Sequence, residues 1–545
     1  MEADKALTGY RSGLPLKLFI TTASHVPVSV NVSAPMAKTL YPGHQFTVQR
    51  GIIKQILIPR TLRLQGTERA QKAIYVLSSQ EIVIFGINQA DMSTDGFLGI
   101  PSDVLGTKYF VPTFSSNAQN FFQSSILIVG TRDGTMLNIR LPSNNNITLH
   151  LEGKHYKRND WINITINKFE TLQLLCHTDL SGTFVSSSNK ISVFGGSTVT
   201  SIGTGWSRDH IEEQIPPVNV WGKSFAINPF PDTNPNILRL LASEDNTTVA
   251  ITNKQTVHLM NGKFHETHVK SFSYVSSNKP ILSVHYVPSG TCNKDHPKPG
   301  CHKGDPAMTL IPPIEQNNIF YSFLTPVSSH NLSFNNIFMF FIEDSYENGL
   351  LLDNKGPKQN VIKGVVHSHN LTAGYIQIPP GSHTIEHSSR VVPFGGILYG
   401  GIQAESYAFP VGQRFATINE KDCRPLAMDI GDGVDNDCDG RVDEEICNDL
   451  KDNDGDGRKD EDCFKALNMQ MSKDSQRPAW LTYTEYGIIG VVSVVIIGAI
   501  GACCNKCLCL LAKRDDDEDE EANRRKRNKK AKQAFEAPAI RLMYM

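Results

Sequence analysis

The run 487–504, GIIGVVSVVIIGAIGACC, constrains this chain more than any other stretch. It carries no charge, and Ser493 is its one strongly polar residue. As a helix it would rise about 27 Å, close to the roughly 30 Å hydrocarbon core of a bilayer. It therefore reads as a single transmembrane helix that separates a long N-terminal part from a short tail. The twenty residues before it hold Lys473 and Arg477, and the twenty after it hold Lys506, Lys513, Arg514 and Arg524. Basic residues collect on the cytoplasmic side of a span, so the expected topology is single-pass type I with the large part extracellular. Trp480, Tyr483 and Tyr486 stand where interfacial aromatics belong. The opening MEADKALTGYRSGLPLKLFITT has no basic start, apolar core and small-residue cleavage site, so a signal peptide is expected upstream of Met1.

An outer location gives the remaining motifs their meaning. Six N-x-S/T sequons precede the span, at Asn31, Asn146, Asn163, Asn246, Asn331 and Asn370, and are candidate glycosylation sites. Residues 1–422 contain only Cys176, Cys292 and Cys301, so the large part is no disulfide scaffold. Cys292 and Cys301 bracket a Pro-, Lys- and His-bearing loop that a bridge would staple. Cys176 is left over, either a buried thiol or the partner of a cysteine further upstream. A formal net charge of −2 shows no global nucleic-acid signature.

Short apolar, β-branched runs fill residues 1–411, at 52–58, 73–77, 82–87, 125–129, 191–194, 281–286 and 337–342, punctuated by Gly, Pro, Asn, Ser and Asp. No long helical period competes, so the expected class is mainly β. The pattern repeats. Val76-Leu-Ser-Ser-Gln-Glu-Ile82-Val-Ile-Phe-Gly86 matches Val185-Ser-Ser-Ser-Asn-Lys-Ile191-Ser-Val-Phe-Gly195, with a looser copy at 275–281. A second element pairs Gly106-Thr-Lys-Tyr-Phe and the following Thr131-Arg-Asp-Gly with Gly222-Lys-Ser-Phe and Ser243-Glu-Asp-Asn. Asp-Gly and Asp-Asn between apolar runs are hairpin signals. A period near 100 residues suits tandem β-sandwich-like units, about three with a partial fourth from roughly 331 to 411.

Three motifs inside this region resemble the IgG-Fc-binding protein N-terminal domain family: DGFLGIPSDVLGTKYFVP at 95–112, EQIPPVNVWGKSF at 213–225 and YAFPVG at 407–412. The resemblance covers about residues 10–412 and implies a binding domain; the family is wider than immunoglobulins, so it does not imply that ligand. Family members usually carry a Cys before the Glu-Gln-x-Pro-Pro motif, whereas this chain reads Trp206-Ser-Arg-Asp-His210, which accounts for an unpaired Cys176.

Residues 422–463 form an acidic module with sixteen Asp or Glu against five Lys or Arg. Asp435-Asn-Asp437-Cys-Asp439-Gly-Arg441-Val-Asp443 is repeated 17 residues on as Asp452-Asn-Asp454-Gly-Asp456-Gly-Arg458-Lys-Asp460. D-x-D-x-D-G sets three carboxylates around a hard cation, the carbonyls of Arg441 and Arg458 come next, and Asp443 and Asp460 close the sphere. Ile446 and Cys463 stand at the twelfth loop position, so neither copy is an EF-hand. The pattern resembles thrombospondin type 3 and MopE-like repeats. Oxygen ligands favour Ca²⁺. Cys423, Cys438, Cys447 and Cys463 would form two bridges of undetermined pairing.

A juxtamembrane linker, 464–486, leads into the span. Cys503, Cys504, Cys507 and Cys509 at its inner face are palmitoylation candidates. The cytoplasmic tail, 505–545, runs through DDDEDEE (515–521) and RRKRNKK (524–530), read as solvated charge able to meet anionic lipid. No GxSxG, HExxH or Walker motif occurs, and His265-Glu-Thr-His268 lacks the spacing for two imidazoles on one helical face. His367, His369, His383 and His387 read as surface or satisfied histidines, and Gly195-Gly196 and Gly395-Gly396 as turns. The expectation is therefore no enzyme. It is a β-rich surface glycoprotein that binds an extracellular protein or glycan in adhesion or innate recognition, or else organises matrix or mucus.

Overall fold

The computed structural model describes residues 14–419 and the backbone of 540–544. Within 14–419 it leaves out 91, 116–121, 144–145, 232, 234–235, 293–300, 302–303, 329, 357–361, 367–369 and 390–391. Among the described residues every regular element is a strand except four single-turn 3-10 helices, and all paired strands are antiparallel. The strands group into four units at 16–98, 108–214, 224–310 and 320–410, each built around two sheets; the second adds the two-stranded hairpin Thr148–Leu151 and Lys154–Lys157 and takes Glu68–Ala70 onto the edge of one sheet. The fourth unit is thus complete. It starts at Phe320 rather than near 331, because its first strand, Phe320–Leu324, carries no sequence match to the other units that would reveal it.

The sequence repeats mark equivalent hairpins. In three units a short strand leads into a longer one that crosses to the other sheet: Ile74–Ser78 into Val83–Ala90, Thr183–Ser187 into Ile191–Thr200, and Ser273–Ser277 into Ile281–Val287. The glycines expected at turns lie inside strands instead. A Cβ on Gly195 would sit 2.2 Å from the Pro112 carbonyl oxygen, and one on Gly196 2.0 Å from that of Ile211. A Cβ on Gly395 or Gly396 would enter the rings of Phe341 and Phe338. These glycines admit a neighbouring chain at close range, which is the strand use of Gly.

Outer-sheet strands alternate, as in Val28–Ser33 and Thr135–Arg140, where every second residue is buried. That is the signature of one face on a core and one in water. The central strand of each inner sheet is buried on both faces instead, because it serves two cores, and in the third unit Arg239 interrupts the apolar run. Leu18 and Ile20 face the first unit's core while Phe19 enters the fourth's. Ile126 and Ile128 face the second core while Leu127 and Val129 enter the first. Leu238 and Leu240 face the third while Ile237 and Leu241 enter the second. Phe338 and Phe340 face the fourth while Ile337 and Met339 enter the third. Each unit leans on the next and the fourth leans on the first, so the four close a ring. The last strands of the units, Ser93–Leu98, Asp209–Gln214, Ala307–Leu310 and Glu405–Pro410, meet one another in the same cyclic order.

One position in this ring is filled in an unusual way. In units two to four the first strand pairs antiparallel with the strand before the crossover: Tyr109 opposite Val185, Phe225 opposite Val275, Tyr321 opposite Ile385. In the first unit the corresponding place beside Val76 is taken by Leu542, from the strand Ile540–Tyr544. A chain that crosses a bilayer at 487–504 cannot also lay its last residues on a sheet of the outer domain, so this pairing and a cytoplasmic tail exclude each other.

Candidate functional site

The second unit's outer sheet carries a rung of side chains across four strands. Arg140, on Thr135–Arg140, is in register with Trp161 of Trp161–Ile166 on one side and Phe184 of Thr183–Ser187 on the other. Phe184 is in turn opposite Phe110 of Lys108–Val111. Cross-strand neighbours on one face are close enough to interact, and here a guanidinium and three rings stand side by side. The Arg140 guanidinium lies 5.8 Å from the Trp161 ring and 5.9 Å from the Phe184 ring. Phe184 meets Phe110 at 5.0 Å, and Phe110 meets the buried Trp221 at 6.4 Å.

This rung forms one wall of a cleft of about 830 Å³ where the second and third units adjoin. Asn219, Glu244, Asn261 and Asn419 also line it, together with the exposed Asp103, Lys108 and Lys190. Arg140 donates to Asn261 Oδ1 at 3.0 Å and has no acidic partner among the described residues. Trp161 is 48% exposed. The volume lies within the range of small-ligand sites, and an aromatic wall with a few fixed polar groups is the usual make-up of one.

Below the cleft the same two units are pinned together by Arg239. It is 4% exposed, pairs with Asp179 at 2.9 Å and Glu266 at 2.7 Å, and donates to the Thr113 carbonyl at 2.8 Å. The rings of Phe264, Phe114 and Tyr286 surround it at 4.2, 5.1 and 5.3 Å. A buried cation this fully paired serves as a structural node.

A second polar cluster occupies the junction of the four last strands. Seven residues before Pro101, Pro216, Pro312 and Gly412 stand Thr94, Asp209, Asp305 and Glu405, all buried. Asp95, Glu212 and Glu213 lie beside them, also buried. Asp209 accepts hydrogen bonds from Ser93 Oγ, the His210 amide (2.7 Å) and the Thr94 amide (3.1 Å), while Thr94 Oγ1 donates to Glu405 at 2.9 Å. Among the described residues Asp305 Oδ1 and Asp95 Oδ1 have no hydrogen-bond partner. Burial pushes Asp209 and Asp305 well above the usual carboxylate range, and each carries a neighbouring carboxylate's charge in addition. Of the pair, Asp209 is the better solvated as an anion, with three donors, so the extra proton belongs on Asp305. Burial likewise raises Asp95 and Glu213. For Glu212 burial acts upward, but the hydrogen bond and charge of His210, 3.3 Å away, turn the net direction downward. Among the described residues no group of three or more His, Cys, Asp or Glu is placed to hold a metal ion.

The sequence-derived candidates fall as follows. Cys292 and Cys301 form a disulfide, and Cys176 is a buried free thiol with Thr178 Oγ1 3.1 Å from its sulfur. All six sequon asparagines are exposed, and Asn163 lies two residues along its strand from Trp161, on the same face. His383 and His387 are satisfied histidines: His383 contacts Asp353 at 2.8 Å and the Pro379 carbonyl at 2.9 Å, and His387 contacts the Ser389 and Tyr346 carbonyls at 2.9 and 3.0 Å. The acidic module 422–463 with its metal candidates and four cysteines, the linker, the run 487–504, and Cys503, Cys504, Cys507 and Cys509 lie outside the described residues. Among the described residues no helix is long and apolar enough to cross a membrane.

Comparison with known proteins identifies the region that builds the cleft. The model of the family described as IgGFc binding protein matches residues 95–400, more than half of the 545-residue chain. The chain belongs to this family. The match runs from the last strand of the first unit into the fourth, and Asp103–Lys108 and Asn219 of the cleft fall within two of the three motifs that carried the resemblance. The human IgGFc-binding protein is 25% identical over 211 residues, which are 39% of this chain and 4% of that protein. The family is not a known enzyme family. Arg140 and Trp161 were not singled out from the sequence, although an outward-facing Trp at the start of the alternating strand Trp161–Ile166 was the available signal.

Proposed function

We propose that this chain is an extracellular recognition protein whose ring of β units presents the Arg140–Trp161 cleft to a ligand. The observation that carries this reading is the cleft itself: an exposed indole and a guanidinium flanked by two rings, with no acidic partner among the described residues, in a domain of a family named for binding. In its finer form the protein is a single-pass cell-surface glycoprotein for adhesion or innate recognition, with 487–504 as anchor and 422–463 as a Ca²⁺-stiffened stalk. The human relative's name records Fc binding, and an immunoglobulin is one ligand to try. Ectodomain displayed on cells should capture ligand-bearing surfaces, and Trp161→Ala should abolish capture while leaving expression and folding unchanged. Equal capture by the variant would refute the cleft as the site. For the stalk, Ca²⁺ should protect 422–463 from protease and chelation should remove that protection.

The pairing of Ile540–Tyr544 with Ile74–Ser78 favours a second reading, in which both ends of the chain lie on one side and the protein organises matrix or mucus without a membrane anchor. An epitope tag after Met545 decides between them. Labelling on intact cells, or in the medium, supports the second reading; labelling only after permeabilisation supports the first.

A further inference from the structure

We infer that the cleft takes an anionic sugar, a pyranose bearing a carboxylate, with its ring on Trp161 and its carboxylate on Arg140; this rests on reading the cleft as a ligand site. Three observations converge. First, Trp161 keeps nearly half its surface in solvent while its strand neighbour fixes it from one side, so a flat apolar platform faces the cleft. A sugar ring has an apolar C–H face that suits such a platform, with hydroxyls at its rim for polar groups, and Asn219, Asn261 and Asn419 line the same cleft.

Second, Arg140 is oriented for anion recognition. Two aromatic rings flank its guanidinium at 5.8 and 5.9 Å, and among the described residues its one hydrogen bond goes to a neutral amide. A guanidinium presents its donors as a fork that matches a carboxylate, and flanking aromatic rings restrict it without using that fork.

Third, the charge around the cleft is net positive. Lys108, Arg140 and Lys190 face Asp103, whereas Glu244 is held by Lys279 at 3.7 Å. A neutral sugar gains nothing from this excess. An acidic peptide would use the charge but not the indole platform.

The test uses the full-length chain against three immobilised oligosaccharides of matched length, ending in a carboxylate-bearing sugar, a sulfated sugar or a neutral one, with a polyglutamate peptide alongside. The expected order is carboxylate first, at least tenfold above neutral, weakening as salt rises from 0.15 M to 0.5 M. Trp161→Ala should lose binding to all sugars. Arg140→Lys keeps the charge but loses the fork, and should bring the carboxylate sugar to within a few-fold of the sulfated one. Asn261→Ala removes the hydrogen-bond partner of Arg140 and should weaken binding, and thermal unfolding measured for each variant separates loss of binding from misfolding. Equal binding of neutral and carboxylate sugars would overturn the proposal, as would a preference for sulfate or for polyglutamate. If no sugar binds yet capture of ligand-bearing surfaces still depends on Trp161, the sugar assignment fails while the recognition reading stands.

Discussion

Replacing Asp305 with Asn should change how stability depends on pH. Asp305 is raised by burial, so between the unfolded carboxylate value of about 3.9 and its folded value the native state holds a proton that the unfolded chain has released. A group raised in this way is fully accommodated below the unfolded value and loses stability as pH rises, by about 1.4 kcal/mol per pH unit for each such proton. The amide of the Asp305→Asn variant is neutral at every pH, so that proton disappears from the balance. The variant should therefore gain on the parent by about 1.4 kcal/mol for each unit of pH within that window. Urea denaturation at half-unit steps from pH 4.5 to 8, followed by the fluorescence of the buried Trp221, measures the difference. Other titrating groups, His285 among them, are common to both proteins and cancel. Parallel curves would refute the reasoning, since they would show Asp305 ionised in the native state. A gap that narrows with rising pH would reverse its sign.

Three further substitutions test separate parts of the ring. Arg239→Met leaves Asp179 and Glu266 without their cation at a buried node and should cost about 3–5 kcal/mol in chemical denaturation; a cost under about 1 kcal/mol would show the node to be dispensable. His285 is buried without hydrogen bonds among the described residues, stacked 4.3 Å from Phe230, and burial lowers it to about 3. Its contribution is therefore lost as pH falls from about 6.5, at about 1.4 kcal/mol per unit, and His285→Phe should flatten the acid limb of the stability curve by that slope. Gly195→Ala would place a methyl 2.2 Å from a backbone oxygen and should destabilise by about 1–3 kcal/mol or more, whereas Gly134→Asn, at a φ of +65° with open space around it, should cost little. Thermal unfolding of the two variants side by side checks the contrast.

The register of His285 shows what the repeat conceals. Pairing places Gly86, Gly195 and Gly396 opposite Leu18, Ile126 and Phe340, and His285 opposite Leu238. Three units use a glycine at this point and the third uses an imidazole stacked on Phe230. Aligning the repeats reveals the position, but only packing explains why a histidine is tolerated there.

By itself the sequence determined the strand class, the hairpin that recurs about every hundred residues, the disulfide between Cys292 and Cys301, and the family, because each is encoded in local pattern: periodicity, turn residues, short motifs. Tertiary structure decided the rest. Continuous apolar runs such as 125–129 cannot announce that alternate residues enter different cores, since periodicity registers burial but not the partner. The polar groups at the centre come from four separate segments, with bonded Thr94 and Glu405 standing 311 residues apart, and only ring closure brings them together. Arg140, Trp161 and Phe184 are likewise ordinary strand residues until the register sets them side by side above a cleft. Apart from the outward-facing Trp161, no single strand carries a trace of a site that is assembled by pairing across strands.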